Sequence, residues 1–417
     1  MQRTLITIKP VHLLGFCLAL TGFELLTYMA SDMIMPAMLS VTEEFEADAR
    51  HVPNAFYFYL LGGACLQWLI GPLSDHFGRR PLLLIGCALF ALSCIAAFAT
   101  QQIEIFNLLR IVQGVGLGFV VAVSYPVLQE VFREADAVRM MALLGNIALL
   151  SPLLGPLIGS LLLEWLTWRE LFLSLGLAAV IVWLGLLKCM PETVGVTRHD
   201  EQSLASVAFS WRSIAERYRT LLGNHRFLTA SCALGLMSLP LIAWIGMAPL
   251  LLIQVQGLSS LHYGLWQLPI FAAVIAGNLI LDRLLPRLSL VSILRVALWP
   301  FCLGLAGLAT LSQSHASVAP LVICLMLYAI GLGMSNAALY RLALFASDDG
   351  KGLVSAMIGM ISIAVMGAGG MLIARLGGGS SLEAFALLIA LGGFFSLPLL
   401  WFFLQGADEA LASSIVQ

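Results

Sequence analysis

Stretches of about twenty or more apolar residues recur along this chain from one end to the other, and no other feature restricts its fold as much. A helix rises about 1.5 Å per residue, so roughly 20 residues cross the ~30 Å of bilayer hydrocarbon. Inside hydrocarbon every backbone N–H and C=O has to be satisfied within the chain, which leaves helices and closed barrels. A barrel would show ~10-residue segments of alternating polarity, and the sequence has none. The fold class that follows is all-α integral membrane. Charge content agrees: 11% of the residues are charged and 60% hydrophobic, where a soluble domain carries about 25% charged residues.

Twelve spans are read at 11–38, 53–72, 82–99, 105–128, 139–163, 169–189, 226–253, 262–284, 292–312, 317–344, 353–376 and 382–404. The first is too long for the apolar core of a secretory signal and reads as a retained helix. The longest polar stretch, 190–225, splits the spans six and six. The expected organisation is an N-terminal six-helix half (1–189), a cytoplasmic linker (190–225), a C-terminal half (226–404) and a short cytoplasmic tail (405–417). Within the linker, WRSIAERYRTLL fits either an amphipathic helix on the membrane surface or a plain solvated stretch. With the N-terminus inside, 17 of the 21 Lys and Arg fall in cytoplasmic loops. Arg198 and Lys351 are among them. Arg50, Arg169 and Arg375 fall outside, and Arg110 lies within a span. This bias puts both termini in the cytoplasm. A weak internal repeat pairs GPLSDHFGRRP after span 2 with LDRLLPRLS after span 8, as expected of duplicated halves.

Several chemistries are disfavoured. The eight cysteines are scattered singly with no CxxC pair, so neither a disulfide framework nor a zinc site is indicated. The histidines sit in loops or at span ends without metal-ligand spacing. No phosphate-binding Walker sequence supports ATP-driven transport, and no Ser-His-Asp arrangement suggests an enzyme.

The informative residues are charges inside apolar spans, each costing ~2.5–3.5 kcal/mol or more at a helix centre. Glu24 lies midway along span 1, where apolar surroundings favour the neutral form of a carboxyl and make it a candidate proton carrier. Asp32 follows eight residues later, about 12 Å along the axis and about 80° around it, so both carboxyls can face one cavity. Arg110 in span 4 stays charged and can bias these carboxylates without relaying protons. Gly114, Gly116 and Gly118 follow it and permit close helix approach. In span 5, Pro152 and Pro156 each remove a backbone hydrogen bond, and Gly155 and Gly159 form a GxxxG face. A kinked, closely packed helix is expected there, acting as a hinge or seal or simply as packing.

GPLSDHFGRRP, LLRIVQGVGLG and SPLLGPLIG together resemble motifs A, B and C of the major facilitator superfamily, the last in the form found in its drug/proton antiporter branch. FELLTYMASDMIMPAML, YLLGGACLQWLIGPLSD, LFASDDGKGLVSA, MPET and SLPLIAWI extend the resemblance to multidrug/proton antiporters of that branch over nearly the whole chain. The resemblance implies the major facilitator fold, with 12 transmembrane helices in two pseudo-symmetric six-helix halves. It implies a bacterial inner-membrane monomer that exports lipophilic cationic and neutral drugs, such as chloramphenicol-like compounds, in exchange for protons by alternating access. No cofactor and no nucleic-acid partner is expected; the partners are small-molecule drugs, protons and membrane lipid. By position, Glu24, Asp32 and Arg110 match the proton- and substrate-coupling residues. Gly71, Asp75, Arg79 and Arg80 match a loop that latches the halves, with His76 where a basic residue is usual. Tyr28, Ser31, Leu117, Asn146 and Leu236 match the substrate pocket, and Ser31 stands where relatives commonly have Asn. Two other readings stay open: a proton-coupled sugar or metabolite exporter of the same fold, and a non-transporting receptor or membrane enzyme. The first would need several polar side chains at the midplane, and spans 7 and 8 offer mainly Gln267 and Asn278.

Overall fold

The computed structural model describes residues 4–196, 211–313, 317–347 and 351–415. Arg3, Arg198, His199 and His315, the linker at 197–210, the Asp-Asp-Gly at 348–350 and the last two residues of the tail lie outside the described residues. The first helices are α1 (Pro10–Asp32), α2 (Met38–Glu44), α3 (Asn54–Cys65) and α4 (Gln67–Phe77). Next come α5 (Arg79–Ala99), α6 (Ile103–Phe119), α7 (Tyr125–Val131), α8 (Glu134–Leu162) and α9 (Trp168–Cys189). After the linker follow α10 (Trp211–Gly223), α11 (His225–Ala248), α12 (Ser260–Leu284), α13 (Leu290–Leu311) and α14 (Val318–Leu344). The chain closes with α15 (Lys351–Arg375), α16 (Leu382–Phe394) and α17 (Ser396–Ile415).

Ten of these stretches are long and apolar enough to cross a membrane, and two bent pairs raise the number to twelve. Span 1 is longer than the reading of 11–38, because α1 continues through a 3-10 turn at Met35–Ala37 into α2 and ends at Glu44. Span 5 bends by 45° between Arg139–Ala148 and Leu150–Leu162. The cause is Pro152, which has no N–H to give to the carbonyl of Ala148 four residues back. Span 2 bends by 43° at Leu66 with no proline at the break. There Cys65 Sγ donates to the Gly62 carbonyl at 3.1 Å and Trp68 Nε1 donates to the Cys65 carbonyl at 3.0 Å. Side chains thus take carbonyls from the helix ladder, and a straight span at 53–72 does not form. Two π-helical segments, Val120–Ser124 and Pro249–Val255, interrupt spans 4 and 7. Pro126 follows the first and Pro249 opens the second, so each interruption sits where a backbone donor is missing. The sequence 211–223 is helical, with Tyr218 and Leu221 buried and Arg212, Arg217 and Arg219 exposed. The chain beyond 405 continues α17 to Ile415.

The helices gather into two compact units: Met1–Ala47 with Phe58–Ile214, and Asp48–Tyr57 with Ala215–Gln417. In the first, α5 packs along α6 and α9, and α1 along α8 and α9; in the second, α14 packs along α12 and α13, and α11 along α15. Each unit repeats one packing device built on the sequence Gly-Leu-Gly, at 116–118 and at 331–333. In the first unit a Cβ on Gly116 would come within 2.8 Å of Phe90 Cβ on α5, and one on Gly118 within 2.9 Å of the Gly63 carbonyl on α3. In the second, a Cβ on Gly331 would come within 2.6 Å of Phe301 Cβ on α13, and one on Gly333 would strike the Val274 carbonyl on α12. The fourth span of each unit therefore lies backbone to backbone on the second span and against a phenylalanine of the third. The same alignment puts Leu325, fully buried, at the place of Arg110.

Gly114 is the tightest of the α3–α6 contacts, since an added Cβ would strike the Tyr59 carbonyl. Gly114→Val is expected to cost about 1–3 kcal/mol or more through overpacking. Detergent-solubilised protein will show this as a lower thermal unfolding midpoint or lost expression. Gly145→Ala, where an added Cβ meets nothing within 4 Å, will leave the midpoint unchanged.

Candidate functional site

Residues four apart on a helix stack on one face. On α1 this puts Glu24, Tyr28 and Asp32 along one gently turning stripe, with Thr27 and Ser31 beside it. Glu24 is fully buried, and among the described residues neither carboxyl oxygen has a hydrogen-bond partner. The nearby hydroxyls are committed to their own helix: Thr27 Oγ1 donates to the Glu24 carbonyl at 2.9 Å and Ser31 Oγ to the Tyr28 carbonyl at 2.7 Å. Tyr28 is half-buried and Ser31 buried.

Asp32, also buried, accepts a hydrogen bond of 2.8 Å from Ser151 Oγ of α8. Ser151, Gly155 and Gly159 line one face of α8 at intervals of four, and that face meets α1 at this level. A Cβ on Gly155 would come within 2.7 Å of Asp32 Cβ, and one on Gly159 would strike the Met33 carbonyl. The GxxxG face of span 5 is thus seated on the backbone that carries the second carboxyl. Pro152 and Pro156 occupy the next positions along α8, and Pro152 sets its bend. Ser151 belongs to the stretch SPLLGPLIG, but nothing in its local sequence marks it as the partner of a residue 119 positions away.

Arg110 is fully buried on α6. Its Nη1 donates to the Ala30 carbonyl at 3.1 Å and to Gln113 Oε1 at 2.7 Å, and Gln113 Nε2 donates to the Ser93 carbonyl at 3.3 Å. The guanidinium lies 4.7 Å from the ring centroid of Tyr59 and 5.8 Å from that of Phe172. The Tyr59 hydroxyl donates to the Thr27 carbonyl. Cation–π attraction is strongest where water is excluded, so these rings offset part of the cost of burying the charge. Arg110 grips span 1 through its backbone, between the two carboxyls. Farther along, Glu44 at the end of α2 accepts from Trp168 Nε1 at 2.5 Å and from Arg169 Nε at 2.9 Å, which ties the far end of span 1 to α9. Arg169 Nη1 also donates to the carbonyls of Phe98 and Thr100.

Of the remaining pocket candidates, Leu117 is buried, its Cδ2 3.4 Å from where a Cβ of Gly63 would stand, Asn146 is exposed on α8, and Leu236 is half-buried in the second unit.

The loop between spans 2 and 3 holds a second polar cluster. Asp75 sits in the last turn of α4, where Arg79 Nη1 reaches it at 2.5 Å. Arg79 also donates to Ser74 Oγ at 2.5 Å and pairs with Glu130 of α7 at 3.0 Å. Glu130 in turn accepts from Thr193 Oγ1 at 2.5 Å. Glu192, from the MPET that follows span 6, accepts from the backbone N–H of Arg79 at 2.9 Å and of Arg80 at 3.2 Å. The carboxylate on a helix N-terminus in this loop is therefore Glu192, which meets the positive end of α5. Arg80 Nη2 donates to the Leu187 carbonyl at 2.6 Å. Gly78 turns the chain with φ 104°, and a Cβ there would strike Glu192. A Cβ on Gly71 would meet nothing within 4 Å. His76 packs its ring edgewise on Phe77, centroids 4.6 Å apart. Glu130, Glu192 and Thr193 were missed as site residues; the recurrence of acidic residues at span ends facing a basic loop was the available signal.

Among the described residues no group of His, Cys, Asp and Glu could hold a metal ion. The fold is that of solved transporters: a D-xylose–proton symporter superposes with a TM-score of 0.72 at 14% identity, covering 93% of this chain and 97% of that one. The human organic anion transporter MFSD10 superposes with a TM-score of 0.65 at 17% identity, covering 94% and 100%. Among curated proteins, Multidrug transporter MdfA of Yersinia pestis bv. Antiqua is 43% identical over 402 residues, covering 95% of this chain and 96% of its own. Multidrug transporter MdfA of Escherichia coli O6:H1 is 44% identical over 356 residues, covering 85% of each. The profile of the Major Facilitator Superfamily, a family of transporters and not of enzymes, matches residues 20–350, and with a multi-pass helical fold of this kind the chain belongs to that superfamily.

Proposed function

We propose that the chain is a multidrug exporter of the bacterial inner membrane that exchanges lipophilic cationic and neutral small molecules for protons by alternating access. Glu24 carries this reading: a fully buried carboxyl with no partner has to be neutral, hydrated or matched by a bound cation. A cationic drug that supplies the positive charge displaces the proton. Binding of drug and proton is then linked, and each weakens the other by the same factor. Neutral drugs rely on apolar and aromatic contact. Asp32, held by Ser151 beside the span-5 glycines, is the second exchanging carboxyl, and Arg110 fixes span 1 between the two. Tyr28, Ser31, Leu117 and Asn146 of the first unit contact substrate in this reading, as does Leu236 of the second. The identity to multidrug transporters over most of the chain supports the substrate class. The Lys and Arg distribution supports cytoplasmic termini. The protein works as a monomer of two six-helix halves, in contact with lipid and without a cofactor.

Gly71, Asp75, Arg79 and Arg80 form the cytoplasmic latch of this cycle, with Glu130 and Glu192 holding Arg79 in place. Pro152, Gly155, Pro156 and Gly159 form the hinge or seal.

Two outcomes are expected. Purified protein in weakly buffered detergent solution will release protons when a cationic substrate is added. Glu24→Gln will weaken binding of that substrate about tenfold, ~1.4 kcal/mol, and abolish part or all of the release. Substrate binding without proton release at every accessible pH, or wild-type export of every substrate class by Glu24→Gln, rules the exchange out. At the loop, Glu192→Ala orphans the Arg79 and Arg80 N–H groups and will cost about 1–3 kcal/mol, read as a lower thermal midpoint. Glu192→Gln keeps an acceptor there and will lose less.

A further inference from the structure

Among the side chains of the first unit that bury polar atoms no group of the described chain satisfies, three sit on elements that meet: Glu24 with both carboxyl oxygens, Gln67 with both amide atoms, and Ser124 with its Oγ; Asn107 Oδ1 and Arg80 Nε lie elsewhere in the unit. Glu24 and Ser124 are fully buried and Gln67 is 1% exposed. The elements that carry them meet at one place. Ser124 closes the π-helical segment of span 4, and α1, which carries Glu24, and α4, which opens on Gln67, both pack against that segment. Gln67 lies on the last turn of α6: its Cγ is 3.7 Å from where a Cβ of Gly118 would stand. The helices are irregular at the same level, with a π-helical turn in span 4 and the break at Leu66 in span 2.

A buried donor or acceptor left unpaired bears its full desolvation cost, and native chains leave few of them. Five such atoms around one interrupted stretch of helix are a site for internal water, which makes two to four hydrogen bonds per molecule to polar groups of this kind. The amide of Gln67 offers a donor and an acceptor, and the hydroxyl of Ser124 offers both.

We propose that water bound at Gln67 and Ser124 forms the proton-release branch of the transporter, leading from Glu24 toward the end of the unit that carries Arg79 and Glu130. The inference rests on the exchange reading of Glu24 and on the orientation proposed above, under which that end is cytoplasmic. The Glu24 O–H bond breaks, the carboxylate keeps the electron pair, and the proton adds to a water oxygen and is handed on. Gln67 and Ser124 orient the water and neither gains nor loses a proton overall. From Gln67 to Phe77 the route is about 15 Å, and from Ser124 to Val131 about 10 Å, at 1.5 Å per residue. The titratable and charged groups around the carboxyl stripe are Asp32 and Tyr28 on α1, Tyr59 on α3, Cys94 on α5, Arg110 on α6 and Tyr125 on α7. Arg110, bonded at Ala30, stands about 9 Å farther along α1 and repels a hydronium ion from the Asp32 side.

Two measurements test this. X-ray radiolytic footprinting of the wild-type protein labels side chains beside interior water. Ile70, 1% exposed and beside Gln67 at Gly118, and Val123 of the π-helical segment, fully buried, will be oxidised well above the equally buried Ile293 and Val322 of the second unit. Equal, background-level labelling of all four overturns the water site. In stopped flow, the double variant Gln67→Met with Ser124→Ala will release the wild-type number of protons on substrate addition but about tenfold more slowly. An unchanged rate overturns the branch. A variant that fails to fold leaves the wild-type footprint to decide. Wild-type protein that binds substrate and releases no proton overturns the exchange reading and the branch together, while the footprint reports on hydration independently.

Discussion

The bilayer hydrocarbon supplies no water, so each polar atom inside a membrane-spanning bundle is matched by another part of the chain, held by bound water, or available for work. That constraint sorts the buried polar groups of the first unit into two kinds. Thr27, Ser31, Ser93, Gln113, Tyr59 and Ser151 all take part in hydrogen bonds within the unit. Glu24, Gln67 and Ser124 are not matched, nor are Asn107 Oδ1 and Arg80 Nε. The matched groups make a rigid frame around span 1, and Glu24, Gln67 and Ser124 belong to the elements that meet at the interrupted stretch of span 4.

The frame works because glycine lets backbones touch where the polar contacts have to be short. Gly155 and Gly159 bring α8 onto the Asp32–Met33 backbone, which is what allows Ser151 to reach the Asp32 carboxylate. Gly62, Gly114 and Gly118 bring α3 and α6 together in the same way, and Tyr59 then stands both under the Arg110 guanidinium and within reach of span 1. Small residues and buried charge are thus one device: the first makes the close approach, and the second uses it.

Much of this was legible in the sequence, for physical reasons. Apolar runs of bilayer length mark spans unambiguously, a fixed helical period puts Glu24, Tyr28 and Asp32 on one stripe, and a proline inside a span announces its bend. What escaped reading depended on long-range contact or on side chains competing with the backbone. Ser151 acquires meaning only when α8 docks on α1. Glu192 acquires it only when the chain returns from span 6 to the start of α5. The break at Leu66 comes from Cys65 and Trp68 bonding to nearby carbonyls, which no proline advertises. Arg110 was expected to bias the carboxylates by its charge, which does reach Asp32; what the sequence did not reveal is the hydrogen bond it also donates to the Ala30 carbonyl of span 1. The internal repeat looked degenerate because the eye falls on charged loops, whereas its most faithful copy is the pair of Gly-Leu-Gly turns whose spacing is set by packing.

The replacement of Arg110 by Leu325 in that repeat reaches further than packing. Among the described residues every buried carboxylate and every buried cation belongs to the first unit. Drift among the apolar residues of the second unit therefore reshapes surfaces without adding or removing an ionisable group. A duplicated ancestor with charge in both copies would have had two titrating centres to keep in balance. A chain with one neutral copy is free to diversify that copy while its exchange stoichiometry stays fixed.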